Sequence, residues 1–288
     1  MVSTPATNPT LPGLDALDSA RRPAPPDRRP VGVFDSGVGG ITILREILAL
    51  APAERCVYVA DSRAAPYGEK PPEFIIERCD RIVDFLLGQG AKIIVVACNT
   101  ASVVGLAHLR ERYRVPFVGT VPAVKPAAAL TRSGTIGVLT TPTTGQSEPL
   151  AHLIEEFAEG VTVITEVCPE LVPLIERGVL AGPGIERPLQ RHLDVLIAAG
   201  VDVLALGCTH YPLLRGPIER ICGPGVIVLD PAVAVARQVR RVLTDRELQN
   251  DAAPVAPRYF TTGAAAEFED VLRLVGAPAA ASIEAIIL

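Results

Sequence analysis

Cys98 and Cys208 occupy the same slot of an internal repeat, and that placement frames the chemistry open to the chain. Gly90–Thr100 lies over Gly200–His210 without a gap, 110 residues on, so that Cys98 falls on Cys208. Each cysteine closes an apolar run, Ile93-Ile94-Val95-Val96-Ala97 or Val203-Leu204-Ala205-Leu206-Gly207, and is followed by hydrogen-bonding residues. Most cytosolic cysteines are small buried hydrophobes, and Cys56, Cys79, Cys168 and Cys222 are read that way. A cysteine where a strand end meets a helix N-terminus is different. Unpaired backbone N–H groups there favour an anion and predict a lowered thiol pKa.

Two such thiols have three uses. A redox disulfide is disfavoured, because no C-x-x-C pair exists and the two cysteines lie in different halves of the chain. An acylation nucleophile would leave the second cysteine redundant. Two acid/base groups on opposite faces of one carbon can take a proton from one side and return one to the other, which inverts a stereocentre. Pseudo-symmetry supplies that geometry, so the third use fits best.

The neighbouring residues suit a small polar substrate. Asp35-Ser36-Gly37-Val38-Gly39-Gly40 follows a strand and opens a helix. It is not a dinucleotide fingerprint, since Thr42 stands where G-x-G-x-x-G needs glycine, and no G-K-[ST] follows for a phosphate loop. Asn99, Thr100, Thr141, Thr144 and Thr209 offer neutral donors and acceptors, and helix N-termini can hold carboxylates without a cationic side chain. Each alone could be a mere cap; their shared placement argues for a site. His210, two residues after Cys208, can tune that thiol or supply protons. His108, His152 and His192 fall in helical, mostly exposed patterns and receive no role. The three lysines, Lys70, Lys92 and Lys125, stand beside prolines or at a strand start, which makes a pyridoxal Schiff base improbable. No H-x-x-x-H or Cys/His cluster points to a metal.

These residues need elements that bring them to one edge. From Val31 short apolar runs alternate with helical patterns: Val31–Phe34, Val57–Ala60, Ile93–Ala97, Ile136–Leu139, Val161–Ile164 and Val203–Gly207 read as strands. Such runs hardly alternate in polarity, which suits strands buried on both faces of a parallel sheet. Ile41–Leu50, Phe74–Leu87 and Glu186–Ala199 have helical periodicity. The expected fold is α/β, with two pseudo-symmetric domains whose mainly parallel sheets face each other across one cleft. The repeat also sets Asp35 and Ser36 against Thr140 and Thr141. Ligands of parallel α/β sheets bind at the carboxyl ends of strands, where all these polar residues fall.

Composition bounds the rest. With 49% hydrophobic and 20% charged residues the chain can build a large core. A net charge of −5 argues against a nucleic-acid or anionic-membrane partner, and no apolar run has the length of a membrane span. Six cysteines without a secretory signal point to the cytoplasm. Seven of the 27 prolines lie within residues 1–30, which is expected to be a disordered tail.

At this point the chain resembles a glutamate racemase of the aspartate/glutamate racemase superfamily. The resemblance rests on Asp35–Gly40, Asp61–Gly68, Ala97–Ser102, Thr141 with Thr144, Cys168-Pro169 through Val172-Pro173-Leu174 to Glu176, Gly207–Pro212 and Tyr259–Gly263. It implies a cofactor-independent enzyme that makes D-glutamate for peptidoglycan, with Cys98 acting on D-glutamate and Cys208 on the L form. It also implies assisting roles for Asp35, Glu176 and His210. Substrate contacts are implied at Asp35, Ser36, Tyr67, Gly68, Asn99, Thr100, Thr209 and His210, with Thr141 and Thr144 near a carboxylate. Residues 31–121 with 231–288 would form one domain and 122–230 the other, and a homodimer is expected. An aspartate racemase is the nearest rival, but such enzymes tend to carry an acidic residue after the second Cys-Thr, where His210 stands here. A non-catalytic binding protein would be favoured had either cysteine been lost.

Overall fold

The uninterrupted apolar runs form the centres of two parallel sheets in the computed structural model, which describes residues 27–288. The chain first runs through β1 (Val31–Asp35), α1 (Ile41–Leu50), β2 (Cys56–Ala60), α2 (Pro72–Gly88), β3 (Ile93–Val96), α3 (Asn99–Arg112) and β4 (Phe117–Gly119). It crosses over to α4 (Val124–Leu130), β5 (Thr135–Thr140), α5 (Pro142–Gly145), α6 (Glu148–Phe157), β6 (Thr162–Val167), α7 (Leu171–Glu176), α8 (Pro183–Ala198), β7 (Val203–Gly207), α9 (Arg215–Cys222) and β8 (Ile227–Leu229). It returns through α10 (Ala232–Asp245), which lies against α1, and ends with β9 (Arg258–Thr261), α11 (Ala265–Leu274) and β10 (Ser282–Ala285).

The strand orders are β10-β9-β2-β1-β3-β4 and β6-β5-β7-β8, and every pairing is parallel. Each sheet therefore contains the same four-strand unit, with β1 and β5 at its switch point and β3 and β7 beside them. That order is the repeat made three-dimensional: Cys98 follows β3 as Cys208 follows β7. Burial explains the strand sequences. Every residue of β1, β2, β3 and β7 is buried, as continuous apolar runs require, whereas the edge strand β6 is half-exposed and carries polar residues. One hydrophobic core runs through both lobes, joining Val38, Ile41 and Leu44 to Leu171, Ile175 and Leu206.

Of the proline-rich stretch, residues 1–26 lie outside the described residues, while its last four are held. Lys92 donates its backbone N–H to the Pro30 carbonyl at 2.9 Å and its Nζ to the Asp27 carbonyl at 2.7 Å. Lys92 Nζ also pairs with Glu54 at 2.6 Å, both side chains being buried. The other Glu54 oxygen accepts the Asn250 N–H at 2.8 Å, and the Asp27 N–H reaches the Gln249 carbonyl at 3.1 Å. The start of β1 and the loop before β9 are thus fastened at the amino edge of the first sheet, away from the strand ends that carry the cysteines.

Candidate active site

The carboxyl ends of β1, β3, β5 and β7 meet in one closed cavity. Ser36, Cys98, Asn99 and Thr100 line it from the first lobe, with the Pro66–Gly68 segment after β2. Thr141, Cys208, His210 and Val172 line it from the second. Only about 10 Å³ remains in which the centre of a water molecule can sit, room for about one water. Asp35, Thr144, Glu176 and Thr209 stand behind this wall and hold it in place.

Cys98 is the N-cap of α3. Its sulfur accepts the Ala101 N–H at 3.5 Å, and its S–H points to Ser36 Oγ at 3.8 Å. The helix end is therefore where the sequence puts it, but the expected lowering of the thiol pKa is not found. Burial pushes the Cys98 thiol well up and the Asp35 carboxylate adds to the push, outweighing the Ala101 and Ser36 contacts. Burial outweighs the helix terminus at this thiol, of which 5% is exposed.

Cys208 faces His210, with Sγ 3.7 Å from Nδ1. The other ring nitrogen lies 2.5 Å from Glu176 Oε1, on α7. Burial opposes charge on this imidazole, yet the bonds to Cys208 and Glu176 prevail and hold its pKa well above the ordinary histidine range. Both ring nitrogens then donate, one to sulfur and one to carboxylate.

Asp35 organises the glycine loop. Its Oδ2 accepts the N–H groups of Gly37 and Gly40 at 3.3 and 3.1 Å, and its Oδ1 accepts the Thr209 hydroxyl at 3.3 Å from the other lobe. Burial raises its pKa, with His210 pulling the other way. The glycines serve close approach of the second lobe. A Cβ on Gly37 would collide with the Glu176 carboxylate, and one on Gly39 would lie 2.5 Å from His210 Nδ1. Glu176 closes the same seam by accepting the Val38 N–H at 2.8 Å.

Three hydroxyls form a triangle across the cleft: Thr100 to Thr141 at 3.0 Å, Thr100 to Thr144 at 3.3 Å and Thr141 to Thr144 at 3.2 Å. They sit at the N-terminus of α3. Beside them, the side-chain oxygen and nitrogen of buried Asn99 have no partner among the described residues. A carboxylate seated there would accept from the hydroxyls, and a polar substrate atom would satisfy the amide.

Val172, part of a motif that carries the resemblance but apolar and given no site role, lines the cavity, and the Thr143 hydroxyl donates to the Gly68 carbonyl at 2.8 Å across the lobes. His192 also departs from expectation. It is largely buried, with its ring nitrogens 2.6 and 3.0 Å from Glu166 and Glu170, because β6 and the start of α7 fold over α8. Among the described residues no group of three His, Cys, Asp or Glu side chains is arranged to hold a metal, and no helix is long and apolar enough to cross a membrane.

Against known proteins, the family model described as Asp/Glu/Hydantoin racemase matches residues 31–239. The chain belongs to that racemase family. A glutamate racemase of Pseudomonas syringae pv. tomato is 50% identical over 245 residues, which cover 85% of this chain and 84% of the relative. A glutamate racemase isoform of Bacillus anthracis superposes with a TM-score of 0.80 at 31% identity, over 91% of this chain and 98% of that one. The Escherichia coli glutamate racemase, solved with L-glutamate and the activator UDP-MurNAc-ala, gives 0.79 at 34% identity, over 90% and 98%. Within the family the chain stands with the glutamate racemases. It is an amino-acid racemase, an isomerase, on the two-lobed α/β fold expected from its sequence.

Proposed function

We propose that this racemase interconverts L- and D-glutamate by two-base proton transfer at the α-carbon, and that its D-glutamate serves peptidoglycan synthesis. One observation carries the reading: the repeat-related cysteines line a single closed cavity beside an unpartnered amide and a cluster of hydroxyls. L-glutamate is the ligand of the E. coli neighbour.

Cys208 takes the α-proton of L-glutamate as a thiolate while the Cys98 thiol delivers its own proton to the opposite face; the D form reverses the roles. One C–H bond breaks and one forms, and the two sulfurs exchange their protonation states. His210, backed by Glu176, faces Cys208 and holds a positive charge near the developing carbanion. Asp35 holds the Ser36–Gly40 loop over Cys98 and ties it to Thr209. Thr100, Thr141 and Thr144 at the α3 N-terminus grip a substrate carboxylate. Ser36, Asn99 and the Tyr67–Gly68 wall hold the remaining polar groups. Proton transfer between thiols and a desolvated, charge-stabilised α-carbon asks for no cofactor.

The closed cavity is too small for glutamate, so the units 31–121 with 231–288 and 122–230 part about the crossings near Pro122 and Asp230 to admit it. Free cysteines throughout the described residues accord with a cytoplasmic enzyme, and the homodimer expected from the resemblance is retained.

Incubation with both glutamates and both aspartates in deuterated water, followed by optical rotation and NMR, tests this. Inversion of glutamate in both directions with α-deuteration is expected, along with its loss in Cys98→Ala and Cys208→Ala that remain folded. Preference for aspartate, or a normal rate in either alanine variant, would overturn the reading.

A further inference from the structure

Asp61, directly after β2, is fully buried and has its acceptor capacity filled. Its Oδ2 accepts the Tyr67 hydroxyl at 2.5 Å and Arg78 Nε at 2.8 Å; its Oδ1 accepts Arg78 Nη2 at 2.7 Å and the Thr262 hydroxyl at 2.8 Å. Two donors on each oxygen leave it nothing for a substrate. Arg78, on α2, meets it side-on with two parallel bonds, the geometry in which a guanidinium fixes direction as well as charge.

The only one of these residues to reach the cavity is Tyr67. Its ring turns about two side-chain bonds, so a fixed hydroxyl fixes the ring. The next residue, Gly68, is clasped from the other lobe: Thr143 holds its carbonyl, and a Cβ on Gly68 would lie 2.8 Å from Thr141 Cβ. The wall formed by Tyr67 and Gly68 is thus held by the second lobe only when the cleft is shut. Its other attachment, to Asp61, lies wholly within the first lobe and persists when the cleft opens.

We propose that Asp61 and Arg78 are positioning residues that keep the Tyr67–Gly68 wall in its binding shape while the cleft stands open for substrate. The proposal rests on the glutamate reading of the cavity. Preorganisation of this kind lowers the ordering cost at each binding event and leaves the proton-transfer geometry, set by the closed form, untouched. A purely structural ion pair would change stability and leave substrate affinity alone.

The test compares wild type, Tyr67→Phe, Arg78→Lys, Arg78→Met and the double variant Tyr67→Phe/Arg78→Met, in steady-state racemisation of both glutamates and in thermal melting. Tyr67→Phe removes only the hydroxyl. We expect KM to rise about tenfold in Tyr67→Phe and in Arg78→Met, with kcat within about threefold of wild type. Arg78→Lys, which keeps the charge and loses the fork, falls between. The double variant is no worse than the worse single variant, because Arg78 acts through Tyr67.

A lowered melting temperature with unchanged KM would overturn the proposal, as would a fall in kcat at constant KM, or additive effects in the double variant. Should Arg78→Met fail to fold, Arg78→Lys alone and combined with Tyr67→Phe gives the same comparison. Wild type that does not turn over glutamate would sink the substrate reading itself, a result distinct from active wild type with unaltered variants.

Discussion

Glu176 Oε1 receives both the Nε2–H of His210 at 2.5 Å and the backbone N–H of Val38 at 2.8 Å. One carboxylate atom therefore holds the charge on the imidazole beside Cys208 and also joins the second lobe to the glycine loop of the first.

Glu176→Gln should remove the charge while its amide oxygen remains an acceptor for both N–H groups. Without a negative charge beside the ring, His210 loses its proton more readily. We expect kcat/KM to fall about 10- to 100-fold. Racemisation has an equilibrium constant of one, so kcat/KM falls equally for the two enantiomers; an undiminished kcat/KM in Glu176→Gln would overturn the role given to this carboxylate.

The same pair makes stability depend on pH. His210 binds its proton more tightly folded than unfolded, so its contribution is complete below the unfolded value of about 6.5 and is lost as pH rises through the folded one. Urea midpoints should accordingly decline as pH rises above about 6.5, and Glu176→Gln should flatten that slope. A wild-type midpoint that climbs over this interval would contradict the assignment.

In the proposed reading Asn99 gives up stability for binding. Its amide is buried with neither polar atom satisfied, and an unmade hydrogen bond of this kind costs about 1–3 kcal/mol. Asn99→Ala is expected to leave the unfolding free energy within about 1 kcal/mol of wild type or to raise it, while glutamate binding weakens at least about tenfold. Calorimetric titration beside a denaturant curve checks both. A large loss of stability with affinity intact would show the amide to be a structural element.

Two glycines give opposite expectations. In Gly39→Ala the added methyl meets His210 Nδ1 at 2.5 Å and Thr209 Oγ1 at 2.7 Å, whereas at Gly88, the last residue of α2, nothing lies within 4 Å. Gly39→Ala should depress kcat/KM by at least about 100-fold through displacement of His210. Gly88→Ala should keep full activity and gain up to about 1 kcal/mol.

Thr143→Val keeps the shape of the side chain and removes the hydroxyl that holds the Gly68 carbonyl. On the proposed opening of the cleft this bond is made only in the shut form, so the expected result is a rise in KM of about two- to tenfold, measured in initial-rate assays with either enantiomer. No change in KM would mean that the shut state is held by the other bonds across the seam.

Much of this was legible in the sequence because the strands are buried on both faces and the repeat is gapless. The apolar runs Val31–Phe34, Val57–Ala60, Ile93–Ala97 and Val203–Gly207 mark β1, β2, β3 and β7 to within a residue at either end, and the matching of Cys98 with Cys208 follows from their offset. Phe117–Gly119 and Ile227–Leu229 were not legible, being three-residue strands at sheet edges with too few positions to show a pattern. The loop Asp35–Gly40 was visible as a glycine turn; that its glycines make room for Glu176 and His210 depends on a lobe contributed by residues more than a hundred positions later. The Cys98 thiol was misjudged for a related reason. Position at a helix start is local information, whereas burial beside Asp35 is set by the whole assembly.

The buried pair of Lys92 and Glu54 fastens the lead-in to β1 and the loop before β9 at one point. Backbone amides on the two segments, those of Asp27 and Asn250 among them, are consequently protected from solvent hydrogen exchange by a single joint and not by two. Cutting that joint, as Lys92→Met would by leaving a buried carboxylate without its cation, should release both segments together as one cooperative opening unit. Protection around the cysteines, a strand's length away at the opposite edge of the sheet, should stay as it was.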